Sequence, residues 1–211
     1  MRKITYSMMS VLVMSSFGYA GGNEAIPEVI PVVVPPTVNH SGIYAGLGIS
    51  YMSLRNDLSD EEFTSTGLML QVGYQINAYL AVEGRYTKNV GDLEYERGKT
   101  ANPNYNDYPA DFTNVGIYLK PMYNIQSFNL YALLGYGQVA MTNIPLGGAG
   151  ISADRAESGF QWGLGASYDV SESVSVSVDY VRFYDDKGFD FRATTADITS
   201  DAWTLAVSYR F

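Results

Sequence analysis

The sequence predicts a closed eight-stranded antiparallel transmembrane β-barrel of the up-and-down type, with four long loops at one end and three short turns at the other. Three observations lead to this fold. From residue 42 onward, apolar side chains alternate with small or polar ones, the period of a strand whose two faces meet different surroundings. Eight such segments follow one another, an even number, as is usual for a membrane barrel. The connections between them alternate between short and long.

The residues before the first strand divide into two segments. In residues 1–20, Arg2 and Lys3 precede an apolar run that ends in small residues, which predicts a removable signal peptide. An uncleaved anchor is the alternative, but the run is shorter than the roughly 20 residues of a transmembrane helix. Residues 21–41 contain four prolines and predict an extended tether.

Charge excludes one class of partner. Removing residues 1–20 would take away two cations and change the formal charge from −9 to −11. A phosphate backbone needs a basic surface, so this balance argues against a nucleic-acid partner.

The first four strands are predicted over 42–53, 64–76, 79–88 and 112–124. Alternation assigns one apolar face and one small or polar face to each of them, as with Leu47 and Ile49 against Gly48 in the first strand. The same pattern sets Glu83 and Arg85 of the third strand, and Lys120 of the fourth, on the polar face. We therefore expect a barrel that is apolar outside and polar inside.

The last four strands are predicted over 128–141, 157–170, 173–185 and 200–211. Asp179 of the seventh strand and Arg210 of the eighth fall on the polar face. Arg182 interrupts the apolar face of the seventh strand. A bulge, or a position beyond the hydrocarbon, would explain it.

Loop lengths and aromatic positions agree with a membrane barrel. Short links are predicted at 77–78, 125–127 and 171–172, and long ones at 54–63, 89–111, 142–156 and 186–199. Aromatic residues cluster at both ends of the apolar faces, where two interfacial girdles are expected. Those near the short turns are Tyr74, Tyr123, Phe128, Tyr168, Tyr209 and Phe211, and those near the long loops are Tyr51, Tyr86, Tyr136, Tyr180 and Trp203.

The last nine residues resemble the C-terminal signal of outer-membrane barrels. In that signal alternate apolar residues, here Trp203, Leu205, Val207 and Tyr209, finish in a terminal aromatic residue, here Phe211, which the assembly machinery reads. The repeats Tyr-Ala-Gly-Leu-Gly at 44–48 and Gly-Leu-Gly-Ala-Ser-Tyr at 163–168 also resemble the barrel of outer membrane protein A and the opacity-protein, or "porin family", group. The resemblance covers residues 42–211.

This resemblance implies an integral protein of a Gram-negative outer membrane, exported by its signal peptide, with its tether and short turns in the periplasm. The implied partners are outer-membrane lipid and lipopolysaccharide, the barrel-assembly machinery and periplasmic chaperones, and a host or surface ligand at the loops; we expect a monomer. The implied function is an envelope-structural or adhesin-like surface role through the extracellular loops. A narrow pore for ions or small solutes is the alternative.

Five charged residues are predicted to share the inner face, and two interpretations of their role are possible. They are Glu83, Arg85, Lys120, Asp179 and Arg210. They could form a polar path with a gate, or they could pair as structural salt bridges. An eight-stranded interior is only wide enough for its own side chains, and charges buried there need partners, so the structural reading is favoured.

Catalysis, cofactors and metal sites are not expected. The only histidine is His40, in the tether, whereas the small barrels with enzymatic roles rely on a histidine. The chain has no cysteine, and its loop acids lack a calcium-loop spacing. Loop aromatics are the candidates for contact with a ligand, namely Tyr95, Tyr105, Tyr108, Phe189 and Phe191. Packing of the loops on one another is the alternative explanation for these residues.

Overall fold

The computed structural model describes residues 41–56, 61–97, 106–145, 152–186 and 198–211. The predicted signal peptide (1–20) and the tether (21–41, Ser41 excepted) lie outside the described residues. Within these ranges, no helix has the length and apolar character that a membrane crossing requires.

Eight strands form the barrel wall, and two short strands lie between the third and the fourth of them. The wall strands are β1 (Gly42–Asn56), β2 (Glu61–Asn77), β3 (Leu80–Asn89), β6 (Asp111–Ile125), β7 (Phe128–Pro145), β8 (Ser152–Asp169), β9 (Val174–Asp186) and β10 (Ile198–Arg210). The two short strands are β4 (Leu93–Arg97) and β5 (Asn106–Tyr108).

The wall closes because β1 has a partner on both sides. Leu47 lies opposite Val207 of β10 and also opposite Leu70 of β2, and both pairings are antiparallel. The other wall strands pair antiparallel with their neighbours in chain order, as in Val82 of β3 with Leu119 of β6. These pairings confirm the predicted closed eight-stranded barrel.

Several wall strands are longer than the sequence pattern predicted, and the additional residues lie at the long-loop end. β1 continues to Asn56 instead of 53, β7 continues to Pro145 instead of 141, and β8 begins at Ser152 instead of 157. A tilted strand needs only about 9–11 residues to cross a bilayer. The sheet therefore continues beyond the membrane on this side.

The segment 89–111, predicted as a loop, contains β4 and β5. β3 ends at Asn89 opposite Gly67, but β2 continues outward to Glu61 and would leave an open edge. β4 covers that edge, with Phe63 opposite Tyr95, and β5 pairs with β4 in turn. The sequence pattern did not predict these two strands, because polar residues predominate in them and their alternation does not produce an apolar face.

The outer surface of the wall is apolar and exposed, as expected for contact with lipid. Leu47 is 65% exposed and Ile117 is 62% exposed, although both lie in the middle of regular strands. Predicted girdle aromatics contact one another: the rings of Phe128 and Tyr168 are 4.9 Å apart near the short turns, and those of Tyr180 and Trp203 are 5.3 Å apart near the long loops.

The interior is not polar throughout, which corrects the simple expectation. Its long-loop half is filled by a buried apolar cluster. The members are Met52, Leu54, Leu93, Ala110, Phe112, Leu133, Val139, Met141, Val181, Phe183, Tyr184, Ile198 and Ala202. We call these residues the apolar cluster. Hydrocarbon side chains therefore occupy much of this half of the described barrel, between buried polar groups such as Asn114 and Gln161.

A β-bulge in β9 lies next to Arg182, the residue that interrupts the apolar face; Arg182 itself keeps the alternation, and its ion pairs fit a position beyond the hydrocarbon. Asp201 of β10 pairs with Arg182, and the next residue, Ser200, pairs with Tyr184. Phe183 is therefore the additional residue, and both Phe183 and Tyr184 are buried. The bulge lies immediately beyond Arg182, which remains on the outer surface.

Candidate functional site

Four charged side chains meet in the middle of the barrel, and we call them the ionic layer. Glu83 and Arg85 come from β3, Lys120 from β6 and Asp179 from β9. Their strands alternate regularly, so these positions point inward, and all four residues are buried. Sequence analysis had placed these residues on one polar face, and the closed wall brings them into contact.

Glu83 is held by three donors. Arg85 Nε lies 2.5 Å from Oε1, Lys120 Nζ lies 2.8 Å from Oε2, and the Tyr44 hydroxyl also donates to Oε2. The charge of this carboxylate is therefore compensated on both oxygens, which is required where water is excluded.

Asp179 receives a bidentate ion pair across the barrel. Arg85 Nη1 and Nη2 each lie 2.9 Å from one of its oxygens, and the Tyr131 hydroxyl donates at 2.7 Å. The planar fork of the guanidinium fits a carboxylate in this way, whereas an ammonium group could not. Arg85 thereby connects β3 with β9 directly.

Two tyrosine rings fill the space around these charges, and glycines make room for them. Lys120 Nζ lies 4.2 Å from the centroid of the Tyr131 ring and 5.4 Å from that of Tyr44. A Cβ at Gly73 would lie 2.3 Å from Tyr44 Cζ, and one at Gly165 would lie 2.5 Å from Tyr131 Cζ. Only glycine fits beneath either ring.

The ionic layer carries no net charge, because two carboxylates balance two cations. With the tyrosines it involves side chains from five of the eight wall strands. Each carboxylate oxygen accepts at least one hydrogen bond. Such an arrangement spans the cross-section and leaves no unpaired carboxylate to attract a passing ion.

A second layer, of uncharged polar groups, lies next to the ionic layer toward the long loops. The Tyr118 hydroxyl donates to Gln161 Oε1, and Gln161 Nε2 donates to Asn114 Oδ1 at 2.7 Å. The guanidinium of Arg85 lies 5.9 Å from the Tyr118 ring centroid, which joins the two layers. Sequence analysis missed this layer; the polar-face positions of Asn114 and Gln161 were its only signal.

A polar cavity of about 230 Å³ occupies the short-turn end of the barrel. It extends inward to Lys120 and Tyr44, and Asn129, Ser175 and Arg210 also line it. We call it the vestibule. Arg210 thus lies at this mouth instead of joining the ionic layer, and its buried Nε has no hydrogen-bond partner.

Another polar group lies on the outer surface, just beyond the girdle formed by Tyr180 and Trp203. Asp201 accepts from Ser53 at 2.7 Å, from Arg55 at 3.2 Å and from Tyr180 at 3.2 Å. Arg182 donates to Tyr180 and pairs with Asp185 at 2.9 Å. Ion pairs at this height indicate where the hydrocarbon ends.

Tyr184 lies near these groups, beyond the outer girdle. Burial raises its pKa, and the charges of Glu157 and Asp186 act in the same direction. Two acidic side chains therefore lie near Tyr184 at the long-loop end of β9.

The loop aromatics are described only in part. Tyr95 lies in β4 and Tyr108 in β5, both beyond the membrane. Tyr105, Phe189 and Phe191 lie outside the described residues. In the part of the chain that the structure covers, no three His, Asp or Glu side chains converge so as to hold a metal ion.

Sequence comparison assigns a family to most of the chain. The profile of the outer membrane protein beta-barrel domain matches residues 32–211. No curated protein sequence matches the chain.

Solved structures share the fold at low sequence identity. Neisserial surface protein A is 18% identical and covers 81% of this chain and 98% of its own, with a TM-score of 0.57. Ail, the attachment invasion locus protein of Yersinia pestis, was solved with the heparin analogue sucrose octasulfate. It is 19% identical and covers 82% of this chain and 99% of its own, with a TM-score of 0.54. The outer membrane protein AlkL, solved in lipid bilayers, is 15% identical and covers 93% of this chain and 97% of its own, with a TM-score of 0.52.

Proposed function

The chain belongs to the outer membrane protein beta-barrel domain family and is integral to the outer membrane, and from this premise we propose a non-conducting, non-enzymatic barrel that acts at the cell surface through its outer strands and loops. The barrel would anchor and orient a binding surface. Its four inner charges would stabilise the wall instead of serving transport.

The observation that carries this proposal is the closure of the interior. An eight-stranded barrel has room only for its own side chains, and here bidentate pairing of Arg85 with Asp179 connects opposite walls. An ion crossing this layer would have to separate ion pairs whose side chains are buried. The apolar cluster beyond the layer adds a second barrier.

The outer segments indicate the charge of the partner. Residues 53–66, 88–113, 142–158 and 182–201 together contain sixteen acidic and eight basic residues. Ail was solved with a polyanionic sugar, whereas the excess here is negative. We therefore expect this surface to favour a basic partner, such as a lysine-rich protein segment, over a sulfated glycan.

Binding to immobilised probes tests the surface role. The barrel in lipid nanodiscs should bind a lysine-rich peptide but not sucrose octasulfate, and binding should weaken as salt screens the charges. The matched variants are Glu94→Gln in β4 and Glu172→Gln in the turn before β9, which remove the same charge at opposite ends. Only the first should weaken binding; equal effects, or preference for the sulfated sugar, would contradict this role.

A narrow pore is the second candidate, because the polar vestibule already extends from the short-turn mouth as far as Lys120. Recording in planar bilayers separates the candidates. We expect the unmodified barrel to be silent. Reproducible openings whose amplitude changes in Lys120→Gln would refute the non-conducting role and establish the pore.

The C-terminal residues are proposed to serve as the assembly signal. The Phe211 side chain is 77% exposed and its ring lies 5.1 Å from that of Tyr209, so the terminal aromatic is available for recognition. Phe211→Ala should reduce the amount of assembled barrel in cells while leaving refolding into detergent unchanged. Heat-modifiable gel mobility measures both, and a refolding defect equal to the cellular one would mean that Phe211 is merely structural.

A further inference from the structure

The vestibule lies at the end of the barrel where all three short turns are described. Its inner end is formed by Tyr44 and Lys120, which are buried and hydrogen-bonded to Glu83 of the ionic layer. Its mouth is formed by turn residues such as Ser171 and Ser173. A solute that enters at the short turns therefore meets the ionic layer at the inner end of the cavity.

Arg210 is the charged group of this cavity that lacks a partner. Its backbone N–H donates to Ser173 O, which fixes the residue at the short-turn end of β10. No described residue forms an ion pair or a side-chain hydrogen bond with its guanidinium, although the Nε atom is buried. Buried donors are paired in nearly all proteins, so an orphaned one inside a polar cavity points to a bound ligand.

The second cation of the vestibule is already neutralised. Lys120 Nζ lies 2.8 Å from Glu83 Oε2 and 4.2 Å from the centroid of the Tyr131 ring. Among the described residues that line the vestibule, Arg210 is therefore the cation without a counter-ion. The planar edge of a guanidinium fits a carboxylate through two parallel hydrogen bonds.

A carboxylate with a free acceptor lies across β9 from Arg210. Asp169 Oδ2 accepts from Asn129 Nδ2 at 3.0 Å, whereas Oδ1 accepts from no described side chain. Asp169 lies opposite Ser175 of β9, and Ser175 lies opposite Ser208 of β10. Two strand spacings, about 10 Å, thus separate the backbones of β8 and β10. The Ser175 and Ser208 hydroxyls, 2.7 Å apart, keep the wall between them polar.

The charges of the lining select the guest. A simple carboxylate would pair with Arg210 but would bring a second negative charge toward Asp169, and exposed Glu172 at the mouth would add to the repulsion. A simple ammonium ion would leave Arg210 unpaired. A molecule that carries one carboxylate and one ammonium group satisfies both residues.

The size of the vestibule limits this molecule further. Its volume of about 230 Å³ equals the share of about eight water molecules in the liquid, at about 30 Å³ each. A disaccharide or a peptide of several residues exceeds this space, whereas a small amino acid does not.

We propose that the vestibule binds a small amino acid in its zwitterionic form, with the carboxylate on the guanidinium of Arg210 and the ammonium group on Asp169. This inference goes beyond the surface role and does not depend on it, because the vestibule and the outer strands lie at opposite ends of the barrel. Failure of the peptide-binding experiment would leave it unaffected.

The Nε–H group of Arg210 can report on its own occupancy. The ¹⁵N-labelled barrel in lipid nanodiscs is titrated with glycine, β-alanine or 4-aminobutyrate, which are zwitterions of increasing length, while the ¹⁵N–¹H signal of Arg210 Nε is recorded. Acetate and methylammonium, each with a single charged group, are the matched ligands. Arg210→Gln identifies the signal, and Arg182→Gln removes the same group at the long-loop end.

The zwitterion of best-fitting length should shift the Arg210 signal saturably, at about tenfold lower concentration than acetate or methylammonium. Asp169→Asn should remove this preference, so that the zwitterion and acetate bind alike. Asp154→Asn, on the same strand at its other end, should preserve it. Saturation transfer from protein to ligand should disappear in Arg210→Gln that retains heat-modifiable mobility, and should persist in Arg182→Gln.

Three outcomes would overturn the proposal. The first is the absence of a saturable shift at Arg210 with all of the zwitterions. The second is equal affinity for acetate in the unmodified barrel, which would remove the role of Asp169. The third is unchanged binding in folded Arg210→Gln, which would place the amino acid elsewhere.

Discussion

Replacing Arg85 with Leu is expected to lower the free energy of unfolding of the barrel by about 3–5 kcal/mol. The substitution removes the partner shared by Glu83 and Asp179 and leaves two carboxylates in the interior with one cation, Lys120. Urea-induced unfolding in lipid vesicles, followed by the fluorescence of Trp162 and Trp203, measures the loss.

An exposed ion pair and a charge-balanced double variant serve as controls. Lys88→Ala breaks a 3.2 Å contact with Asp111 between half-exposed groups and should change stability by less than about 1 kcal/mol. Arg85→Leu combined with Asp179→Leu removes one charge of each sign and should recover part of the loss. Additive losses in the double variant would show that Arg85 and Asp179 do not act as a pair.

Replacing Leu119 with Arg is expected to lower the free energy of unfolding in vesicles by about 2–4 kcal/mol. Leu119 is on the lipid-facing side of β6, between Val115 toward the long loops and Tyr123 in the short-turn girdle. An arginine there would place its charge in the hydrocarbon. The measurement is the same urea titration.

Leu119→Ala is the matched control, because it removes the leucine side chain without adding charge. It should have the smaller effect, since Leu119 is 46% exposed and faces away from the barrel interior. If the alanine and arginine variants were equally destabilised, the outer surface at this position would not lie in lipid.

The lipid-facing pattern could be predicted from the sequence because a membrane imposes one requirement, an apolar side chain at each lipid-facing position. Leu47, Ile117 and Leu164 are exposed, as their alternation required, since lipid accepts any apolar side chain. Glu83 and Arg85 could be assigned to the inner face in the same way. Their partners could not be predicted, because the pairing of Arg85 with Asp179 depends on the position that β9 takes opposite β3 when the barrel closes.

The long-loop half was less accessible to prediction. Met52, Phe112 and Met141 occupy inner positions on strands that also carry polar residues, so an apolar cluster gave no separate signal. The bulge at Phe183 changes which surface Tyr184 faces, and no simple two-residue period can indicate this. Pairing between β8 and β9 also ends at Trp162 and Arg182, next to that bulge, and the sequence pattern did not indicate this end point.

The neutrality of the ionic layer also determines how the barrel responds to an electric field. One elementary charge moved through 100 mV changes the free energy by about 2.3 kcal/mol. A displacement of Glu83, Arg85, Lys120 and Asp179 together transfers no net charge. The four residues together therefore cannot act as a voltage sensor, because a Donnan potential across the outer membrane exerts no net force on a neutral group.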